Sequence, residues 1–490
     1  MIPQLALYAC ILVILCLFLQ DTRHRKGISA ALWLVVAWVA ILASRPVSAW
    51  LGMGGGNEVI GNESEGNSID RNVFLFLMVA GLFILKKRKV RWRALILSNR
   101  WLFLFYLFFG FSMLWSDYPF VALKRWFKDF GNVVMVLVIL TEEDPIKAVC
   151  AVFVRCAYVL IPLSVLFIKF FPDLGISYGR WIGQPVYRGV TEGKNLLGAT
   201  VLVLTLFLVS DLIQILNNRS SAGRKTEIFN HLLLLVMAMW LLRMANSATS
   251  LACAVLGSFG LVALTLPFVR NRLKNLVAYS VLGALLLLVL STVVDLGAHA
   301  AGLLGRDSTL TGRNEIWKAV LAEKTNPLIG TGFYSFWLGG RSEKLSEKNH
   351  YHFQLNQAHN GYLEMYLNGG AIGVCLLIGM LVAVGKSIKQ QLLVDTNWAG
   401  LRLIFWLIVI MHNWSEATFC RASPLWFVLL VVIVQYPRSM RAEAKSTNTS
   451  GVPDNDRPTS KPRFGWDKYY GSAFDVHRSG RHLVVSRACC

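Results

Sequence analysis

The sequence predicts an all-α polytopic integral membrane protein with about 12 to 13 transmembrane helices, and three observations carry that prediction. First, 55% of the 490 residues are hydrophobic and only 16% are charged, with a mean hydropathy of +0.51. One water-soluble core cannot hide that much apolar surface. Second, the apolar residues come in runs of mostly ~16 to 25, long enough as α-helices to cross a hydrocarbon layer of about 30 Å, and they lack the alternation of a membrane β-barrel. Third, short Lys/Arg clusters punctuate the runs: "TRHRKG" at 22–27, "KKRKVRWR" from Lys86, "RSSAGRK" from Arg219 and "RNRLKN" from Arg270. Such clusters mark loops held on the cytoplasmic side. They give the net charge of +21 a positional meaning; in a soluble chain it would suggest nucleic acid, and here no nucleic-acid partner is expected.

In order, the candidate spans are residues 2–20, 28–43, 71–85, 100–115, 131–141, 146–170, 195–216, 228–243, 247–268, 275–294, 359–385, 399–415 and 424–437. Placing the four basic loops inside makes the alternation self-consistent, with the N-terminus outside and the C-terminal tail inside. The first run has no basic segment before it and no small-residue cleavage site, so it reads as a retained helix. The organisation that follows is an N-terminal transmembrane bundle over 1–294, a large outward loop over 295–358, C-terminal transmembrane helices over 359–437 and a basic cytoplasmic tail over 438–490. The tail is rich in Pro, Ser, Thr, Asn, Arg and Lys, a composition that favours disorder and attraction to anionic lipid. Seven of the nine cysteines lie in or beside apolar runs and no CxxC pair occurs, so no disulfide framework is expected.

Three long connections face outward. Residues 44–70 are glycine-rich and acidic and read as a flexible loop. Residues 171–194, "FPDLGISYGRWIGQPVYRGVTEGK", are aromatic and basic. Residues 295–358 are far longer than a plain connector needs, so function is expected there. Within them Ile316, Val320 and Leu321 mark one face of a short amphipathic helix that begins near Thr311 or Gly312 and stops at Asn326 and Pro327. "IGTGFYSFW" at 329–337 then reads as a loop lying at the membrane surface.

Outward arginines run against the charge bias that sets the topology. Arg180, Arg188 and Lys194 in one loop, and Arg306 and Arg313 in another, are therefore candidates for binding an anion. A guanidinium offers a fixed fork of donors and a permanent charge, the best side-chain match to phosphate or pyrophosphate. The plainer reading has them solvated or paired with Glu192, Asp307 and Glu315. His359 stands where "NQAHNGYLEMYLNGG" passes from polar chain into apolar helix. Its imidazole is the natural base at neutral pH, with Asn360 or Glu364 placed to orient the second ring nitrogen; a structural interfacial histidine is the alternative. His350, His352 and His359 lack the carboxylate or cysteine spacing of a metal site, and none is expected. His412 and Glu416, four apart near the outer end of a late helix, read as a structural pair. No Walker A, GxGxxG after a strand, GxSxG or HExxH occurs, so no cofactor is called for and the substrate arrives already activated.

Three blocks together resemble the O-antigen ligase and Wzy-type polymerase superfamily: "YRGVTEGKNLLGA" at 187–199, "TGRNEIWKAVL" with "NPLIGTGFYSF" over 311–336, and "AHNGYLEMYLNGGAIG" at 358–373. "SDYPFVALKRWFKDFGN" at 116–132 further resembles the branch of exopolysaccharide production proteins of the ExoQ type. The resemblance implies a glycosyltransferase of the GT-C type in the bacterial inner membrane, acting at the periplasmic face on a glycan carried by undecaprenyl pyrophosphate. Ligases of this kind carry a histidine followed, after ten intervening residues, by glycine, which falls on His359 and Gly370. They also carry an arginine with leucine four positions on; Arg313 matches and Trp317 does not, a departure that favours a polymerase. An arginine before "KN.LG" maps onto Arg188.

The resemblance then implies roles. His359 takes the proton of the acceptor hydroxyl and Arg313 and Arg188 stabilise the departing pyrophosphate, while Arg180, Lys194, Arg306, Asn360 and Glu364 bind substrate. Direct displacement without a metal inverts the anomeric centre, with the long outward loop as a lid. Besides the lipid bilayer, the implied partners are the undecaprenyl-pyrophosphate-linked oligosaccharide, a chain-length-regulating Wzz-like membrane protein and export machinery. The alternatives are a ligase making one transfer to a lipid acceptor, and a polysaccharide transporter or flippase, which would show internal hydropathy repeats that this chain lacks.

Overall fold

The computed structural model describes residues 2–25, 27–53, 67–178, 184–217, 223–270, 272, 275, 283, 311–348 and 355–436. The tail, nearly all of the span expected at 275–294, and Arg180, Arg306, His350 and His352 lie outside the described residues. In chain order the main helices are α1 (Ile2–His24), α2 (Leu32–Leu42), α3 (Ser68–Lys87), α4 (Arg100–Phe111), α5 (Pro119–Leu140), α6 (Pro145–Phe170), α7 (Lys194–Asn217), α8 (Arg224–Met244), α9 (Ala248–Ala263), α10 (Thr311–Leu321), α11 (Gly340–Lys348), α12 (Gly361–Leu392), α13 (Thr396–Ser415) and α14 (Pro424–Ile433). One antiparallel hairpin, β1 (Ile176–Tyr178) with β2 (Pro185–Tyr187), lies between α6 and α7.

The protein is an all-α polytopic membrane protein, and α1, α3, α6, α7, α8 and α12 are each long and apolar enough to cross a bilayer. At the centre stand α6, α7, α13 and α14, whose apolar residues ring the helix instead of forming one stripe because every face meets a neighbour. Phe153 stacks on Phe207 at 4.1 Å between ring centroids, Phe207 meets Phe405 at 4.7 Å, and Phe427 closes the group on Phe153 at 6.2 Å. Around them α1, α3 and α8 turn Leu5, Leu12, Phe76, Phe83, Phe229 and Val236 outward, an apolar surface suited to lipid. Local chemistry sets the helix starts. Asp144 caps α6 through Lys147 N–H at 3.1 Å and Ser423 caps α14 through Trp426 N–H at 3.3 Å, each followed by a proline at the first helical position.

Two expectations change. The span at 131–141 is the second half of α5, which runs 22 residues from Pro119; Lys124, Arg125, Lys128 and Asp129 break the apolar run without ending the helix. In α10, Ile316 and Val320 are buried as expected, but Leu321 is 58% exposed, so the buried face is i and i+4 alone.

Contacts sort the connections into two ends of the bundle. At one end Arg25 pairs with Asp211, Arg88 with Glu142, and Asn99 exchanges hydrogen bonds with Gln435 at 2.8 and 2.9 Å. At the other end the segments 184–195, 313–338, 356–368 and 413–423 interlock, as the links from Asn195 to Glu416, Tyr334 to Phe419 and Trp337 to Glu364 show. Arg25 and Arg88, from two of the basic segments, belong to the first end.

Helix α12 is broken at Gly370, where φ is +58° and ψ −161°, and the segment 326–332 fills the break. Thr331 and Gly332 donate to the carbonyls of Leu367 and Asn368 at 3.0 and 2.9 Å, while Ala371 and Ile372 donate to those of Pro327 and Leu328 at 2.8 and 3.0 Å. Backbone groups that the helix gives up are thus satisfied by the loop, as burial demands. A Cβ at position 370 would run into the Leu328 backbone, and its φ/ψ is essentially confined to glycine. Gly370→Ala is therefore expected to destabilise by about 2 kcal/mol or more, read as a lower yield of monodisperse protein and an earlier thermal transition; Gly373→Ala, in regular helix, is the milder comparison. "IGTGFYSFW" is correspondingly not a surface loop: Phe333 and Phe336 are 2% and 0% exposed, and Phe333 N–H reaches Ser112 Oγ at 2.9 Å.

Candidate functional site

His359 sits one residue before the cap of α12. Asn360 is that cap, its Oδ1 accepting from the N–H groups of Tyr362 and Leu363, both at 3.0 Å. On the other side both backbone groups of Ala358 are held: its N–H donates to Glu364 Oε1 at 2.6 Å and its carbonyl accepts from Trp317 Nε1 at 2.8 Å. Between these anchors His359 adopts φ +51°, a left-handed conformation that costs a non-glycine residue about 1 to 2 kcal/mol. Strain of this kind persists only where the surroundings over-determine it, and it fixes the direction in which the imidazole points.

The ring Nδ1 faces Glu416 Oε2 at 3.4 Å. Glu416 follows α13, and its backbone is pinned by N–H donation to His412 O at 3.0 Å and by acceptance from Gly361 N–H at 3.1 Å. Its carboxylate also accepts from Asn195 Nδ2 at 3.2 Å and pairs with Arg313 Nη2 at 3.1 Å, while Arg313 Nη1 donates to Ser415 O. The exposures assign the roles: the Glu416 side chain is 8% exposed and that of His359 28%. An Nδ1–H donated to the carboxylate leaves Nε2 with a lone pair and the freedom to meet a ligand.

Burial alone would raise the Glu416 carboxyl, but the hydrogen bond from His359 and the charge of Arg313 outweigh it and hold the group below the ordinary glutamate range. A depressed folded-state value means that this carboxylate's contribution to stability is complete above the ordinary value near 4.5 and is lost as pH falls through the lowered one. The thermal-stability difference between the wild type and Glu416→Gln is therefore expected to stay flat from pH 8 to about 5 and to shrink only in stronger acid.

The residues expected at the site are placed as follows. His359 and Arg313 meet on Glu416. Asn360 and Glu364 do not orient the imidazole. Asn360 caps the helix, and Glu364, 1% exposed, accepts from Trp337 Nε1 at 3.0 Å to each oxygen, from Ala358 and from Asn368. Arg188 lies just past β2, with Nη2 on Asp173 O at 3.3 Å and a buried Nε that has no acceptor among the described residues. The structure records no direct contact of Arg188 with His359 among the described residues; the loop from Arg188 leads to Asn195, which touches Glu416. Lys194 is exposed at the first residue of α7. Among the described residues no three His, Cys, Asp or Glu side chains gather as metal ligands.

Sequence spacing does not point to Glu416, which pairs more readily on paper with His412 four residues earlier. The two meet through their backbones, while the His412 side chain, in a residue 1% exposed, turns its Nε2 to Ser250 Oγ at 3.4 Å. Trp317, the departure from the ligase pattern, holds the peptide before His359. Arg45 was also without a signal; it reaches the carbonyls of Leu174, Gly189 and Thr191. Burial, and then the positive charge of Arg188, push the Arg45 guanidinium below its ordinary value, with Glu192 opposing. Two guanidiniums that feel each other make this corner electropositive.

Residues 232–378 match the family described as O-antigen ligase, a stretch that contains Arg313, His359 and Gly370 but stops before Glu416. The chain is also similar to the exopolysaccharide production protein ExoQ of Rhizobium meliloti (strain 1021), at 27% identity over 314 residues. That alignment takes in 60% of this chain and 66% of the relative's length.

Proposed function

We propose, from the premise that the chain belongs to the O-antigen ligase and Wzy-type polymerase superfamily on the ExoQ branch, that it polymerises repeat units linked to undecaprenyl pyrophosphate into exopolysaccharide at the periplasmic face of the inner membrane. The observation that carries this reading is the His359, Glu416 and Arg313 constellation: a base with one nitrogen anchored and the other open, beside a fixed positive charge.

The acceptor hydroxyl would hydrogen-bond to His359 Nε2. As its oxygen attacks the anomeric carbon the proton passes to Nε2, the bond from that carbon to the phosphate oxygen breaks, and the pyrophosphate leaves with the electron pair. Glu416 holds the Nδ1 proton and stabilises the imidazolium that forms. Negative charge grows on the leaving group, where the unused donors of Arg313 and Arg188 would meet it. Displacement on one face inverts the anomeric centre, and a pyrophosphate leaves without protonation, so the residues present suffice for a metal-independent GT-C-type transfer. Lys194, Arg180 and Arg306 complete the proposed substrate contacts, while Asn360 and Glu364, expected among them, act instead through their hold on the backbone around His359.

A ligase remains the competing reading, and Trp317 in place of leucine favours the polymerase. Purified protein given lipid-linked repeat units decides: a ladder of growing products supports polymerisation, and one transfer to another lipid would assign the chain to the ligases. Arg313→Ala is expected to lose more activity than Arg313→Lys, because lysine keeps the charge but not the fork that spans Ser415 O and Glu416. Equal activity in wild type and both variants would remove Arg313 from the site.

A further inference from the structure

We infer that a cleft beside this centre, framed by α2, α3 and α5, is a second lipid-phosphate site, one that holds the anchor of the acceptor chain while the donor occupies the His359 site. The inference rests on the polymerase reading for the word acceptor; the cleft itself is read from its lining.

Two adjoining cavities of about 480 and 340 Å³ share Leu42, Arg125, Lys128 and Ala422. The volumes are those of sites that enclose small ligands or headgroups. One wall of the larger cavity is apolar, built from Trp38 and Leu42 on α2 and Phe74 and Met78 on α3. Leu75 and Phe127 at its rim are 45% and 44% exposed and continue into the outward apolar surface of α3. The other wall is cationic, with Arg71, Lys124, Arg125 and Lys128, and Arg421 extends it into the smaller cavity. Among the described residues neither Lys124 nor Lys128 forms an ion pair, and Lys128 Nζ instead lies 4.2 Å over the Phe74 ring.

Three carboxylates share the cleft, and the partners of two are as follows. Asp70 accepts from Ser48 N–H and Oγ at 3.0 and 2.5 Å. Asp129 accepts from Tyr106, Asn132 and Trp426 at 2.7, 3.0 and 2.8 Å. Glu192 stands at the edge. Five cations against these groups leave an excess of positive charge beside an apolar wall that opens towards lipid. A phosphate or pyrophosphate on a polyprenyl chain satisfies both walls; a free anion satisfies only one.

The cleft is separate from the catalytic centre but close to it. Among the described residues its lining includes none of His359, Arg313, Arg188 or Glu416. Yet Glu192 and Leu196 flank Asn195, which donates to Glu416, and Asn356, held by Arg421 at 3.2 Å, lies three residues before His359. Joining two lipid-borne glycans requires two anionic headgroups at once, and like charges need two separately neutralised seats.

The test uses the full-length chain in lipid nanodiscs, with Lys124→Glu and Lys128→Glu combined, both at exposed positions. Photoreactive undecaprenyl phosphate is expected to label segments 67–78 and 121–128 in the wild type and not in the double variant, and excess undecaprenyl phosphate, but not inorganic pyrophosphate, to compete. With lipid-linked repeat unit as donor, the variant is expected to raise the KM for a lipid-linked acceptor about tenfold or more while transfer to a lipid-free oligosaccharide acceptor stays within about twofold of wild type. No labelling of the wild type, or competition by pyrophosphate, overturns the lipid site. Labelling with both transfers impaired alike, or with neither impaired, overturns the acceptor role. Labelling without any product ladder in the wild type overturns the polymerase reading and leaves the lipid site standing.

Discussion

Replacing His359 with alanine is expected to lower polymer formation by about 10²- to 10⁴-fold while the protein still inserts and purifies at its wild-type level. The magnitude is that of a general base removed from a transfer whose nucleophile, a sugar hydroxyl, is weak until its proton is taken. The fold should tolerate the change. His359 is 28% exposed at its side chain, and the backbone around it is held by Ala358 and Asn360, not by the imidazole. Alanine also keeps a Cβ at φ +51°, so the strain at that position is unchanged. The measurement is product ladder intensity per unit of inserted protein from lipid-linked repeat units. Wild-type amounts of high-molecular-weight product would remove His359 as the base.

Glu416→Ala is expected to cost about 10²-fold in turnover, with the KM for the lipid-linked donor moved far less. Three things are lost together: the acceptor of the His359 Nδ1 proton, the partner of Arg313 and the acceptor for Asn195. A carboxylate that fixes a catalytic tautomer acts on the chemical step, so the loss should fall on kcat. Glu416→Gln keeps one acceptor oxygen, which can serve the Nδ1–H or Arg313 but not both, and loses the charge, so it should fall between wild type and alanine. A uniform loss of protein with unchanged turnover per molecule would make Glu416 structural only.

Much of this was legible in the sequence, for reasons tied to particular residues. The spans could be read because lipid demands long apolar runs, Arg313 because an outward arginine runs against the charge bias, and His359 because it stands where polar chain passes into apolar helix. The second half of α5 stood out alone, since the charges from Lys124 to Asp129 hide a helix that uses them to line a cleft and to bind Tyr106, Asn132 and Trp426. Glu416 could not be matched to His359 from spacing, because 57 positions separate them and their meeting depends on how the end of α13 docks on the start of α12. Nor does sequence reveal that Trp317 and Glu364 hold the two backbone groups of one residue, Ala358. That hold is a tertiary fact, built from side chains 41 and 6 positions from Ala358.

The break in α12 carries one more consequence. Four amides, those of Thr331, Gly332, Ala371 and Ile372, are bonded across two segments that neither could protect alone. They should therefore exchange with solvent deuterium as a single cooperative unit, slowly and at matched rates, while the amides of α11 exchange faster. A segment stitched into a helix in this way serves as a hinge pin. If residues after Leu338 move to admit a glycan, the bonded segment 326–333 is the fixed point about which they swing.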